Sequence, residues 1–88
     1  MEKRNKIDII GDMLEAILAK GNIKPTHLMY KSNLSHKQMQ GYLEELVSKD
    51  LIQKIKKNEH DYITITDKGC QFVQKLKEMQ EFETAFGL

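Results

Sequence analysis

Residues 25–65 constrain the fold of this 88-residue chain more than any other part of it. In order, they predict a short helix, a tight turn, a helix with a strong N-terminal cap, and a β-hairpin with a polar, lysine-bearing tip. A chain of this length forms one domain with a modest core. These elements must therefore pack against one another and against the two flanking segments.

Two helices joined by a tight turn are predicted first. Pro25 suits the first position of a helix, where its missing N–H costs nothing. Ser32-Asn33 ends that helix, and Leu34 is expected to anchor the turn to the core. Ser35 and Gln38 match the capping box S-x-x-Q, in which each side chain accepts a backbone N–H of the other residue. The face of this next helix opposite its apolar stripe is centred on Lys37, Gly41, Glu44 and Ser48.

A β-hairpin is predicted next, because residues 51–57 and 61–65 are rich in β-branched side chains. A three-residue tip at 58–60 would place Ile55 opposite Ile63. A helix-turn-helix followed by such a hairpin is a winged helix-turn-helix. The predicted fold class is therefore mainly α with a small β-hairpin (α+β), ending in a long C-terminal helix.

The helix that precedes this segment is predicted over residues 6–20. Asn5 is its expected N-cap, and Gly21 is a suitable C′ residue because glycine accepts the left-handed backbone conformation. Spacings of three and four predict one wide buried face with two flanking apolar residues. The face comprises Ile7, Ile10, Leu14, Ile17 and Leu18, and the flanking residues are Ile9 and Met13.

The last helix is predicted to begin after Thr66 as its N-cap and to run to about Phe86. About 20 residues at 1.5 Å each make it roughly 30 Å long, which is longer than so small a body needs. Its first apolar residues are expected to pack on the first helix. Beyond them, the stripe is covered either by a second copy of the chain or by folding back on its own domain, and we favour the dimer. The expected dimer contacts are Leu76, Met79, Phe82 and Phe86.

The chain is therefore expected to consist of a winged helix-turn-helix domain at 1–66 and a C-terminal dimerisation helix at 67–88, in a single compact unit. Its net charge of +1 is unevenly distributed. Residues 20–57 carry eight lysines against three acidic residues, a net charge of +5, whereas both flanking segments are acidic. This asymmetry favours an anionic partner over ordinary solvated lysines.

An ordered set of short pieces carries a family resemblance. The pieces are Leu28-Met29-Tyr30, Asn33-Leu34-Ser35, Tyr42-Leu43 with Leu46, Leu51-Ile52, Tyr62, and Ile65-Thr66 with Lys68 and Gly69. With this order and spacing, the chain resembles the small archaeal winged-helix DNA-binding proteins that dimerise through a C-terminal antiparallel coiled coil. The resemblance implies double-stranded DNA and a second copy of the chain as partners. The chain departs from that family in two places, with Glu44 and Glu45 in the third helix and with Glu59 and Asp61 at or beside a short wing tip.

The outer face of the third helix is the candidate for reading DNA. Lys37 could donate to guanine or to a phosphate, and Gln38 and Gln40 could pair with adenine or reach the backbone. Gly41 either allows close approach to DNA or is a tolerated surface glycine. Glu44 either accepts from cytosine N4 or repels phosphates.

Phosphate contacts are predicted at two helix N-termini and on the wing. Thr26 and Ser35 lie at the N-termini, although a cap alone is the favoured explanation of Ser35. The wing lysines are either contacts or a solvated strand face, and His36 and His60 are candidates for phosphate or base contacts. The full set of predicted DNA-binding residues is Thr26, Lys31, Ser35, His36, Lys37, Gln38, Gln40, Gly41, Lys54, Lys56, Lys57 and His60.

Other function classes find little support in the sequence. The histidines and Cys70 are scattered without metal-ligand spacing, and no nucleophile motif or glycine-rich phosphate loop occurs. We therefore expect no enzyme activity, metal, cofactor, small-molecule ligand or membrane span. A lone cysteine without a signal peptide indicates the cytoplasm. Tyr30 and Tyr42 are expected in the core. The alternative function is a winged-helix protein-interaction module without direct DNA binding, in which Glu44 and Glu45 contact a basic partner.

Overall fold

The computed structural model describes residues 5–87, which form four helices and a three-stranded antiparallel sheet. This is the predicted winged helix fold of the α+β class with a long C-terminal helix. Residues 1–4 and 88, which belong to the predicted segments 1–66 and 67–88, lie outside this range. The elements are α1 (Lys6–Lys20), β1 (Asn22–Ile23), α2 (Pro25–Ser32), α3 (His36–Ser48), β2 (Ile52–Lys57), β3 (His60–Ile65) and α4 (Asp67–Ala85).

Side-chain caps define where three of these helices begin. Asn5 accepts the Asp8 N–H at 2.8 Å, and Asp8 in turn accepts the Asn5 N–H, which makes a capping box at α1. Thr66 accepts the Gly69 N–H at 3.0 Å at the start of α4. The predicted Asn5 and Thr66 caps are confirmed. By contrast, α2 begins with Pro25 and has no side-chain cap.

Helices α2 and α3 both end in a left-handed residue followed by a buried leucine. Asn33 has φ 54° and Asp50 has φ 60°. The N–H groups of Leu34 and Leu51 reach back to helix carbonyls at 3.1 and 3.0 Å, which closes each helix. Both leucines are buried, so Leu34 anchors the turn as predicted.

The sheet has the order β1-β3-β2, and its short strand β1 was not predicted. Ile23 pairs with Ile63 and Asn22 with Thr64. The Thr64 hydroxyl also donates to the Gly21 carbonyl at 3.2 Å. A strand of two residues shows no alternation in sequence and depends on its partner for its conformation.

The register predicted for the wing is wrong by one residue. The hairpin turn contains only Asn58 and Glu59, with φ 51° and 67°. Two successive left-handed residues make the two-residue turn whose twist matches a hairpin, so His60 belongs to β3 instead of the tip. Ile55 therefore pairs with Tyr62, and Lys54 pairs with Ile63.

The core forms where α1, α2, α3 and the inner face of the sheet meet, and three residues predicted to be buried, Ile7, Leu18 and Tyr30, are exposed instead. The buried arc of α1 is Ile10, Met13, Leu14 and Ile17. Ile7 and Leu18 lie at the edges of that arc and are nearly half exposed, whereas Met13 is fully buried. Tyr30 was expected in the core but is 75% exposed on α2, and Tyr42 is half-buried.

The first half of α4 packs on the body, and the second half extends beyond it. A Cβ on Gly69 would overlap the Leu51 carbonyl oxygen, so α4 begins in direct contact with the start of the wing. Val73 is buried and Phe72 packs on the core. Leu76 lies against Gly11 of α1. Beyond this point the predicted stripe is exposed rather than folded back.

Candidate nucleic-acid interface

Helix α3 is held by one face and leaves the other open. Met39, Leu43 and Leu46 are buried in the core. On the opposite side, the four residues predicted for the outer face are all exposed, namely Lys37, Gly41, Glu44 and Ser48. A helix that is fixed by one face presents its other side chains in a defined orientation, which a DNA-recognition helix requires.

The first turn of α3 uses two of the predicted contact residues for its own cap. Ser35 Oγ accepts the Gln38 N–H at 3.2 Å, and Gln38 Oε1 accepts the Ser35 N–H at 3.0 Å. The predicted capping box is therefore confirmed. Because bidentate pairing with adenine needs both the oxygen and the nitrogen of the amide, Gln38 would have to leave the cap to read a base in that way.

His36 and Lys37 in the first turn and Gln40 in the next lie on the accessible side of α3. His36 Nε2 and Gln40 Nε2 are 3.5 Å apart, one helical turn from each other. Lys37 is exposed and forms no ion pair with any residue of 5–87. Its ammonium group can therefore meet an anion without first breaking an ion pair with any part of residues 5–87.

Gly41 lies at the centre of the exposed face. Nothing lies within 4 Å of the position that a Cβ would take there. Neither packing nor a left-handed backbone conformation explains this glycine, since it lies inside a regular helix. The local effect of Gly41 is to leave the surface of α3 flat between Lys37 and Glu44.

The two acidic residues of α3 have different surroundings. Glu45 Oε2 lies 2.6 Å from Lys6 Nζ of α1, and the Glu45 side chain is only 28% exposed. Its charge is therefore paired and turned toward α1. Glu44 is exposed on the outer face. Of the two acidic residues by which α3 departs from the family pattern, Glu45 thus has its charge paired by α1, and Glu44 is the one exposed at the centre of the outer face.

The wing divides its lysines between two faces. Because side chains alternate along a strand, Lys54 and Lys56 share the face of Ile63, and Lys57 lies on the other. Lys56 is 3.9 Å from Asp61, and both side chains are more than 70% exposed. Lys57 pairs across the hairpin with the exposed His60.

A groove of about 220 Å³ separates α3 from the wing. Gln40 lies on the α3 side, and Lys54 with Asp61 lies on the wing side. Asp61, Tyr62 and Pro25 line this groove but were not among the predicted contact residues. A hairpin predicted with a two-residue turn would have placed Asp61 near Lys54 on the same face of the wing. The groove is lined by Pro25, Gln40, Leu43, Lys54, Asp61, Tyr62 and Ile63.

The two predicted contacts on α2 lie apart from each other. Thr26 is exposed and follows Pro25, which lines the groove. Lys31 is at the other end of α2 and lines a separate cleft with Lys20 and His27, between α1 and α2. Neither Thr26 nor Lys31 itself lines the groove between α3 and the wing.

A second candidate surface is the exposed apolar face of α4. Met79, Phe82 and Phe86 are 53%, 59% and 69% exposed, and the rings of Phe82 and Phe86 lie 4.7 Å apart. No part of residues 5–87 covers them. Leu76, predicted for the same interface, is half-buried against α1 and reaches this face only at its edge.

Among residues 5–87, no helix combines the length and the hydropathy that a membrane span requires. Over the same range, no three His, Cys, Asp or Glu side chains come close enough together to hold a metal ion.

Comparison with protein families and curated sequences gives two matches. The model of a family described as winged helix-turn-helix matches residues 3–84. An uncharacterized protein of Methanocaldococcus jannaschii, MJ0290, is 34% identical over 77 residues, which is 88% of this chain. The chain spans only about a third of that relative, 34% of its length.

Solved structures show the same fold at low sequence identity. Sso10a-2, a DNA-binding protein from Sulfolobus solfataricus, has a TM-score of 0.79 at 20% identity, over 94% of this chain and 85% of that one. A mutant of MarR from E. coli complexed with operator DNA has a TM-score of 0.70 at 17% identity, over 75% of this chain and 49% of the other. A mutant of MepR from S. aureus has a TM-score of 0.79 at 15% identity, over 89% of this chain and 61% of its own.

Proposed function

This chain belongs to the winged helix-turn-helix family, and on that premise we propose that it binds double-stranded DNA as a homodimer. In this proposal α3 enters the major groove and the β2–β3 wing contacts the adjacent backbone. The protein acts as a transcription regulator or a chromatin-associated factor.

The observation that carries the proposal is the open face of α3. Its centre is a glycine with free space above it, and Lys37, which forms no ion pair within residues 5–87, lies one turn away. An α-helix fits the major groove only if its outer side chains leave room for close approach. The flat surface around Gly41 provides that room, and Lys37 supplies a donor for guanine or phosphate.

Charge supports the same surface. Three of the eight lysines behind the net charge of +5 within residues 20–57 lie on β2, whereas α3 itself carries Lys37 against Glu44 and Glu45. Lys6 offsets the charge of Glu45, which lies beside Lys37 and Gly41, so the acidic charge that α3 leaves without a partner in residues 5–87 is that of Glu44. Wing lysines Lys54 and Lys57 add positive charge on both sides of the hairpin.

Two of the similar structures agree with this proposal. Sso10a-2 is described as a DNA-binding protein, and the MarR mutant was crystallised with operator DNA. The dimer is supported by the exposed apolar face of α4, which is the kind of surface that a second copy of a helix covers.

DNA binding is tested by fluorescence anisotropy of a labelled random duplex at several salt concentrations. We expect affinity to fall steeply with salt, and Lys37→Ala to weaken binding and lower the salt slope by about 0.9. Lys77→Ala is the matched control, since Lys77 is an exposed lysine on α4, away from α3 and the wing. Absence of binding by the wild-type chain at low salt would refute the proposal.

Dimerisation is tested separately by sedimentation of the wild-type chain and of a chain that ends at Glu78. The wild type should have twice the monomer mass, and the shortened chain should be a monomer. If both are monomers, the α4 dimer is wrong, whatever the result with DNA.

The second candidate function is a protein-interaction module. Exposure of Glu44 at the outer face of α3 favours it, because a carboxylate there repels phosphates and attracts a basic partner. Glu44→Lys separates the two functions. The change should strengthen binding to DNA if DNA is the ligand, and should weaken binding if the partner is a basic protein surface.

A further inference from the structure

The exposed stripe of α4 has a regular heptad spacing once the residues packed on α1 are set aside. Phe72, Lys75, Met79, Phe82 and Phe86 are separated by three, four, three and four positions. This is the a-d-a-d-a pattern of a two-helix seam. Four of its members are apolar, and the d position at Lys75 is charged.

Only part of this seam is free in one copy of the chain. Phe72 is half-buried and packs on the core of its own domain. The Lys75 side chain is 80% exposed, and its ammonium lies 3.4 Å from Glu78 on the same helix. The free seam therefore consists of Lys75, Met79, Phe82 and Phe86.

We propose that Lys75 sets the orientation and register of the α4 pair, by stacking on Phe86 of the partner subunit. The inference rests on the homodimer proposed above. In an antiparallel pair, each a position packs against a d position of the other helix. The register that covers all four free positions then places Met79 against the partner's Phe82 and Lys75 against the partner's Phe86.

The chemistry of each layer fits this arrangement. Two Met–Phe layers form an apolar centre, in which a thioether contacts an aromatic ring. At each end, the Lys75 stem covers apolar surface, and its ammonium meets the face of an aromatic ring in a cation–π contact. Glu78 lies beside the seam and remains available as a counter-charge.

A parallel pair of the same helices is disfavoured by the same residue. In that arrangement, Lys75 would lie opposite the partner's Lys75 inside the seam, and two ammonium groups would share one layer. A single charged residue in an apolar seam selects among pairings at a cost in stability. Lys75 therefore selects the antiparallel pair on an apolar face that would otherwise accept either orientation of the partner helix.

The test is a distance measurement between spin labels at Gln71, which is exposed near the start of α4. The label is attached to Gln71→Cys in a Cys70→Ser background. An antiparallel pair in the proposed register separates the two labels by about 30 Å at 1.5 Å per residue. A parallel pair brings the helices within about 10 Å of each other at that level, so the labels would be much closer.

The wild-type seam should give the long distance alone. Lys75→Leu should tighten the dimer by about tenfold through added apolar burial, and should add a second, short distance. Lys77→Leu is the control, because residue 77 lies on the opposite side of α4, and it should leave the distance unchanged.

Each outcome decides between the proposals. A long distance that persists alone in Lys75→Leu overturns the role of Lys75 and leaves the dimer intact. A short distance in the wild type overturns the antiparallel register. A monomer at every concentration overturns the dimer itself, and with it this inference, whereas loss of DNA binding with an intact long distance affects only the DNA proposal.

Discussion

Lys6 Nζ lies 2.6 Å from Glu45 Oε2, so the first turn of α1 is joined to α3 by an ion pair. The pair leaves Glu44 and Glu45 with different effects on a nearby anion, although they are adjacent in sequence. Glu45 is partly buried and neutralised, whereas Glu44 faces outward.

Substituting each of these acids by glutamine should therefore have unequal effects. Glu44→Gln should strengthen binding to a labelled duplex by about fivefold at low salt, because it removes a charge that repels phosphates. Glu45→Gln should change affinity by no more than about twofold and lower the free energy of unfolding by less than about 1 kcal/mol. Anisotropy titrations of both variants measure the difference. A large loss of affinity in Glu44→Gln would instead show that this carboxylate accepts a bond from DNA.

Gly41→Ala should affect stability and binding in opposite directions. Free space surrounds the missing Cβ, so alanine should raise the free energy of unfolding by about 1 kcal/mol through its higher helix propensity. The added methyl should weaken duplex binding, and Gly41→Leu should weaken it further. Urea denaturation and anisotropy of the same samples provide the two measurements. Unchanged affinity in both variants would mean that Gly41 is only a tolerated surface glycine.

Gly69→Ala should destabilise the fold, since the new Cβ would overlap the Leu51 carbonyl oxygen and lie 2.6 Å from Ile65 Cγ1. The expected loss is about 2–3 kcal/mol, typical of a residue forced into filled space. Gly41→Ala is the natural control, because the same change is made in a helix with no neighbour nearby. Equal stability of the two variants in urea would contradict the close contact between α4 and the start of the wing.

Ser32→Ala should leave the protein as stable as before or make it more stable by up to about 1 kcal/mol. Ser32 is fully buried, and its hydroxyl has no hydrogen-bond partner within residues 5–87. Removal of an unsatisfied buried hydroxyl eliminates its desolvation penalty. Thermal unfolding at fixed protein concentration measures the change, and a fall in stability beyond 1 kcal/mol would indicate that Ser32 makes a bond after all.

Local chemistry explains what could be predicted from the sequence. The caps at Asn5, Ser35 and Thr66 depend on residues three positions apart, and Pro25 and Leu34 act within their own turns. Such local interactions can be predicted without knowledge of the tertiary structure. The winged helix fold followed from the order of these local elements.

The predictions failed where the local structure depends on contacts between residues that are far apart in the sequence, or on a rare backbone conformation. The wing register depended on Glu59 adopting a left-handed conformation, which a non-glycine residue rarely does. The contact of Glu45 with Lys6 joins residues far apart in sequence, so the sequence does not show that the charge of Glu45 is paired. In α4, the heptad is regular only when Leu76 is assigned to α1, and that assignment requires the position of Gly11.

The contact of Gly69 with the Leu51 carbonyl has a consequence for the length of DNA that a dimer would span. Because no side chain separates the two backbones, α4 leaves the body at one angle with little freedom to pivot. In a dimer built on α4, that angle fixes how far apart the two α3 helices lie. Such a dimer would hold its two α3 helices at a fixed distance and would bind half-sites that have one matching spacing along the duplex.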